Sequence, residues 1–294
     1  MRKPTGLQAV IAGATVIVVA TGITIAVVVA GTPPETEAAP SASPSSSPSE
    51  PPEADPGFPA NTETYDLRQL PAVDVFTLAG DLPVDDAPDS PVLALLATPM
   101  GAGAPLFADP LAAPVGHLPS SFEFNGTTVP VIERQENWVR VMISGRAGLP
   151  SEGITGQLTA WMRAADVSVV DNTVSVRVSL ATPSISIRDG DEVVYESAAF
   201  AIGAPATPTP TGRSFIMTTQ TDPAAGYTRG HPLVYLGVQS LTLDGFAGQN
   251  NAITAFHYHD DRSGDISNGC LRVDADTIDR LAALPLGTPV VIVP

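Results

Sequence analysis

The chain has one cysteine, Cys270, set in Ser267-Asn268-Gly269-Cys270-Leu271-Arg272. A thiol attacks carbonyl carbon as its thiolate, so its chemistry depends on what lies beside it. Gly269 permits a sharp backbone turn and leaves the N–H of Cys270 free to point at a developing oxyanion. Thirteen residues upstream, His257 closes the apolar stretch Ala252–Phe256. A neutral imidazole there raises the thiolate fraction, and as imidazolium it returns the proton to a leaving amine. Cys plus His is the minimum pair for acyl transfer. His259 is a second candidate base; His257 is preferred because a strand end holds a ring more rigidly than the loop beyond it. Two other readings compete. A lone cysteine is also an ordinary small core residue. His257 and His259, at i and i+2 on one strand face, could bind a metal with Asp261 or Cys270 and run a hydrolase, although spacing fixes no third ligand.

Mostly β-structure must position these groups. Val174, Val176, Val178 and Leu180 alternate on one strand, Ile185 and Ile187 lie on the next, and Asp189-Gly190 supplies the turn after it. Further strands are expected at 214–219, 233–238, 252–257 and 288–293. Asp274 caps a helix expected over 275–284, with Ile278, Leu281 and Ala282 at helical spacing. Upstream, 91–170 reads as short strands around Trp138 and Trp161, which suggests a small β-barrel with both tryptophans as core. Residues 61–90 mix short apolar runs with acid and proline and leave linker and lead-in strand both open.

The N-terminus bounds the compartment. Residues 7–30 form 24 consecutive positions without a charge, which as a helix would extend about 36 Å and cross a bilayer. Arg2 and Lys3 precede the run, which predicts a retained signal anchor over 1–31 with the rest exported, a cleaved signal peptide being the competing reading. Residues 32–60 carry nine prolines, six serines and no basic residue, the composition of an unfolded spacer. An unpaired thiol outside the membrane then stands out, because it has no intramolecular disulfide partner. Lys+Arg number 14 against Asp+Glu 31, a formal net charge of −17. That balance argues against nucleic acid as a partner, since phosphate binding needs clustered cations.

Ser267-Asn268-Gly269-Cys270-Leu271-Arg272 resembles the Ser-His-Gly-Cys-Ile-Arg signature of L,D-transpeptidases (YkuD-like domains). Thr207-Pro208-Thr209-Pro210-Thr211-Gly212 is similar to the Thr-Pro-Thr-Pro-Thr-Gly segment of that family. The stretches 184–203, 233–239 and 272–293 agree in order with its opening hairpin, the strand before its histidine and its closing helix and strand. The resemblance covers about 172–294, and 171–294 is taken as the catalytic domain. A looser likeness links the Trp138 and Trp161 segments to bacterial SH3-like domains.

The family resemblance implies a mostly β fold and a peptidoglycan L,D-transpeptidase that joins wall peptide stems through a Cys270 thioester, without metal or organic cofactor. Water as acceptor would give an L,D-carboxypeptidase, and another amine would attach or release a wall protein. An inactive wall-binding protein is the reading without chemistry. Cys270 takes the nucleophile's place and His257 the base's. Gly269 and Cys270 N–H groups would form the oxyanion hole, and Ser267 would shape the loop or orient the imidazole. Arg272 would organise the loop or bind a carboxylate, while Tyr235 and Met217 stand between substrate groove and core. Two positions depart from the pattern. Asn268 replaces a histidine and cannot exchange a proton at neutral pH, and His257 is followed by Tyr258-His259-Asp260-Asp261 instead of Gly and a longer loop. Activity is expected to survive the first change. His117 and His231 receive no role.

Overall fold

A computed structural model describes residues 57–294. The apolar run at 7–30 and the spacer over 32–56 lie outside the described residues. The described strands are β1 (Leu95–Pro99), β2 (Gly103–Leu106), β3 (Gly116–Pro119), β4 (Val129–Arg134), β5 (Trp138–Ile143), β6 (Leu158–Arg163), β7 (Val167–Asp171), β8 (Val174–Ser179), β9 (Ser184–Asp189), β10 (Glu192–Ser197), β11 (Ala201–Gly203), β12 (Gly212–Gln220), β13 (Leu233–Gln239), β14 (Ile253–Tyr258), β15 (Gly264–Ser267), β16 (Leu271–Val273) and β17 (Pro289–Val293), with one helix, α1 (Ala275–Ala282). Among these residues no helix is long and apolar enough to cross a membrane.

Ten strands form one sheet in the order β10-β9-β8-β17-β12-β13-β14-β16-β11-β15. The alternation legible from 174 onward sets its first part. Val176 pairs with Ile187 and Val178 with Ile185, so all four fall on one face and are buried. Gly190 turns the chain at φ +56° into β10, an edge strand that leaves Val193 and Val194 exposed. The nine-residue β12 joins the two halves of the sheet: Gly212–Phe215 pairs with β17, and the ladder from Ile216 to Gln220 pairs with β13. Asp274 accepts a hydrogen bond from Thr277 N–H at 2.8 Å and starts α1, which buries Ile278 and Leu281 in the core of this sheet.

The remaining strands form a five-stranded sheet, β6-β5-β4-β1-β7, and the ribbon β2-β3. The order runs open from β6 to β7. Trp138 and Trp161 pack with Phe107 in an aromatic cluster, the core role their size favours. Two boundaries read from composition shift. Phe58, expected in the spacer, stacks edge-on to Trp161 at 5.5 Å, and Pro59 C=O accepts from Trp138 Nε1 at 2.9 Å. Val73, Val75 and Leu82, from the unassigned stretch 61–90, are buried in the core of the five-stranded sheet. That core also takes Phe215 and Met217 from β12, so it is continuous across residue 171.

Candidate active site

Cys270 ends the three-residue link, Asn268 to Cys270, that leads from β15 into β16. The link folds back on itself through Ser267. Its hydroxyl donates to Cys270 C=O at 2.5 Å and accepts from Gly269 N–H at 3.1 Å. Ser267 is buried and acts as the clamp of the turn. Gly269 has φ +108°, a conformation other residues rarely adopt. Its N–H is spent on Ser267, which corrects the expectation that it donates to an oxyanion. The N–H of Cys270 makes no hydrogen bond and is the donor that the turn leaves free.

The Thr207–Gly212 segment braces this turn from below. Ser267 C=O accepts from Ala204 N–H at 2.8 Å and from Thr207 Oγ1 at 3.0 Å. Thr209 Oγ1 accepts from Gly203 N–H at 2.9 Å. A Cβ on Gly269 would lie 3.4 Å from Pro208 C=O oxygen, so the brace and the turn are in contact.

β14 delivers His257. Parallel pairing with β16 sets His257 opposite Arg272 and Phe256 opposite Leu271, which brings the strand end beside Cys270. His257 is buried, and its Nδ1 bonds Tyr258 C=O at 3.0 Å. A carbonyl only accepts, so Nδ1 carries the proton and Nε2 keeps a lone pair. Burial foremost, then the Arg272 charge and His259, pushes its pKa down to about 4, against the bond to Tyr258. The ring is therefore neutral at physiological pH. His259 is set the other way. Its Nδ1 accepts from Asp261 N–H at 2.9 Å, so in the neutral ring Nε2 holds the proton. The hydrogen bonds thus favour His257 over His259 as base.

Burial pushes the Cys270 thiol up, opposed by a hydrogen bond from the Ala255 backbone and by the Arg272 charge. No hydrogen bond joins Cys270 to His257. The two share a cleft of about 170 Å³ with Tyr227, Phe246, His259, Ser267, Asn268 and Arg272. A smaller cleft of about 30 Å³ meets it at Phe246, Asn268 and Cys270. Asn268 is exposed at the mouth. Arg272 makes no hydrogen bond to the loop, and its buried Nε is unpartnered. The loop is therefore held by Ser267 and not by Arg272. Tyr235 is half-buried against Phe124 at 5.3 Å and lies outside the residues lining either cleft, so the groove expected there is not formed by it. Met217 is core. Among the described residues no three His, Cys, Asp or Glu groups are placed to hold a metal ion.

Two lining residues escaped the sequence reading. Tyr227 sets its ring edge-on to His257 at 5.1 Å and also faces His259 at 5.7 Å. Phe246 stands 52 % exposed on the loop between β13 and β14. Each is a large aromatic next to glycine in an otherwise small or polar loop, Ala225-Gly226-Tyr227 and Gly245-Phe246-Ala247-Gly248. An aromatic in such a setting has no core to join, and that is the signal that marks it.

Residues 173–292 match the family model of the L,D-transpeptidase catalytic domain (YkuD). The matched stretch contains the Thr207–Gly212 brace, His257 and Cys270. No curated protein matches the chain. Similar solved structures include a mutant of the Enterococcus faecium L,D-transpeptidase, at 18 % identity over 42 % of this chain and 50 % of that one, with a TM-score of 0.30. An L,D-transpeptidase from Mycobacterium smegmatis is 12 % identical over 53 % of this chain and 91 % of that one, with a TM-score of 0.32. L,D-transpeptidase 1 of Mycobacterium tuberculosis is 18 % identical over 47 % and 78 %, with a TM-score of 0.30. The chain spans half the length of the Enterococcus faecium protein.

Proposed function

We propose that this protein is a peptidoglycan L,D-transpeptidase working through a Cys270 thioester. The observation that carries the reading is that Cys270 and His257 line one cleft, with the Nε2 lone pair of His257 uncommitted. On this reading His257 Nε2 takes the Cys270 proton as sulfur attacks a stem-peptide carbonyl. Cys270 N–H receives the oxyanion. The imidazolium protonates the leaving amine, and the C–N bond breaks to leave the thioester. An amine of a second stem then gives its proton to His257, attacks the thioester and releases the thiol. Arg272 lines the same cleft, and its guanidinium is suited to a substrate carboxylate.

Two further parts of the reading rest on sequence. The charge-free run at 7–30, behind Arg2 and Lys3, supports a retained membrane anchor with the enzyme outside. The short strands about Trp138 and Trp161 support an SH3-like layer ahead of the catalytic domain.

Incubation with a disaccharide-tetrapeptide, followed by mass analysis, tests the enzyme. Wild type should give cross-linked dimer, with Cys270→Ala and His257→Ala inactive and His259→Ala retaining most activity. Dimer formed by Cys270→Ala rules out the thioester, and activity lost only in His259→Ala transfers the base role.

A further inference from the structure

Both clefts beside Cys270 share Phe246 as a wall. It stands at the tip of a hairpin closed by Phe246 N–H to Asn251 C=O at 2.9 Å and Gln249 N–H to Phe246 C=O at 3.0 Å. Ala247 and Gly248 turn the tip at φ +51° and +81°. A hairpin this small has no core of its own, so its position is fixed from outside.

The anchors come from the five-stranded sheet and the segments around it. Arg146, which follows β5 and is 5 % exposed, donates from Nη1 to Asp244 C=O at 2.7 Å and from Nη2 to Leu243 C=O at 2.8 Å. Ser151 N–H donates to Asp244 Oδ1 at 2.9 Å. Gln239, at the loop's base, donates to Val75 C=O at 2.7 Å and accepts from Ala252 N–H at 3.0 Å. Arg146 is itself held, its N–H on Thr77 C=O at 3.1 Å and its C=O on Ala79 N–H at 2.6 Å. A planar guanidinium bonded to two successive carbonyls fixes both the place and the direction of that chain segment. Those carbonyls precede Phe246 by two and three residues.

We infer that Arg146, outside the region that matches the catalytic-domain family, is a positioning residue of the cleft: through Leu243 and Asp244 it holds Phe246 in place and so sets access to Cys270. The cleft is then a product of both sheets. The kinetic consequence rests on the enzyme reading above, whereas the consequence for access does not.

Cys270 is the chain's only cysteine, so its alkylation by iodoacetamide, followed by mass in the full chain, reports access directly. Arg146→Gln should alkylate about tenfold faster and lose about tenfold in kcat/KM toward the tetrapeptide stem, the scale of a misplaced wall. Phe246→Ala should act in the same direction, and the double variant should be no worse than Phe246→Ala alone. Arg146→Lys, a single-point donor, should fall between wild type and Arg146→Gln. Val178→Ala, in the core of the other sheet, supplies a comparable loss of Tm and should leave alkylation unchanged. Should Arg146→Gln fail to fold, Asp244→Ala removes the Ser151 anchor and should speed alkylation by about threefold. Wild-type alkylation in Arg146→Gln or Asp244→Ala, additive losses in the double variant, or equal acceleration in Val178→Ala overturns the inference. Faster alkylation of Arg146→Gln in a protein inactive on stems upholds the positioning and refutes the enzyme reading.

Discussion

His257 and His259 stand two residues apart beside the same thiol, yet their hydrogen bonds give them opposite tautomers. Burial holds His257 near pKa 4, against an ordinary 6.5. Between those values the unfolded chain binds a proton that the native ring refuses. Stability therefore falls as pH drops from 6.5 to 4, by about 3 kcal/mol in total, and levels off below. His257→Gln should remove that slope, as read from urea midpoints at pH 7, 5.5 and 4.5. On the proposed function the neutral ring is the base, so the acid limb of kcat/KM should also lie near pH 4 to 5; a limb at 6.5 would show that the active base is a less buried imidazole. That Cys270 and His257 would meet in one cleft was legible in sequence because Cys, His and Gly carry their chemistry with them. The use of Gly269 N–H was not, since Ser267 Oγ reaches it only once the turn has formed. The tautomers were not legible either, because Tyr258 C=O and Asp261 N–H decide them.

At the scale of elements, the Thr207–Gly212 segment was recognisable as a motif, but its spacing says nothing of what it touches. In the structure it carries the floor of the cysteine turn, with Thr207 Oγ1 and Ala204 N–H both on Ser267 C=O. Gly203 is where it comes closest to β11. A Cβ there would overlap the Thr207 carbonyl oxygen and lie 2.5 Å from Thr209 N. Both are backbone atoms that no rotamer change can move away. Gly203→Ala should therefore cost about 3 kcal/mol, at the upper end for a single substitution. It should also slow Cys270 acylation, because the shift passes to Ser267. A wild-type urea midpoint in Gly203→Ala would show that the brace yields freely and is no floor. The strands over 174–189 were legible for the opposite reason: alternation is local, and a one-residue slip would expose Val176, Val178, Ile185 and Ile187 together.

Across the whole molecule, 61–90 shows what local reading misses. Its partners lie far along the chain, from His117 and Arg146 on Val73 and Ala79 to Gln157 and Arg213 on Asp85, so composition presents acid and proline without purpose. Asp85 and Arg213 are both buried and form a two-point pair, Nε to Oδ2 at 2.7 Å and Nη2 to Oδ1 at 2.9 Å. Arg213 Nη1 also donates to Pro91 C=O at 3.0 Å, and Arg213 N–H to Pro88 C=O at 3.0 Å. The segment thus wraps the first half of β12, whose second half pairs with β13, the strand next to β14 and its His257. Removing one charge strands the other in a buried position, so Asp85→Ala should cost about 3 to 5 kcal/mol. Removing both should cost much less: Asp85→Ala with Arg213→Met should recover most of the loss, since the unpaired cation and not the missing attraction is the penalty. Urea titrations of the two single variants and the double variant decide this. Equal losses in Asp85→Ala and the double variant would mean that the wrap itself, through Pro88 and Pro91, joins the lead-in to the ten-stranded sheet, and that the buried charges contribute little to it.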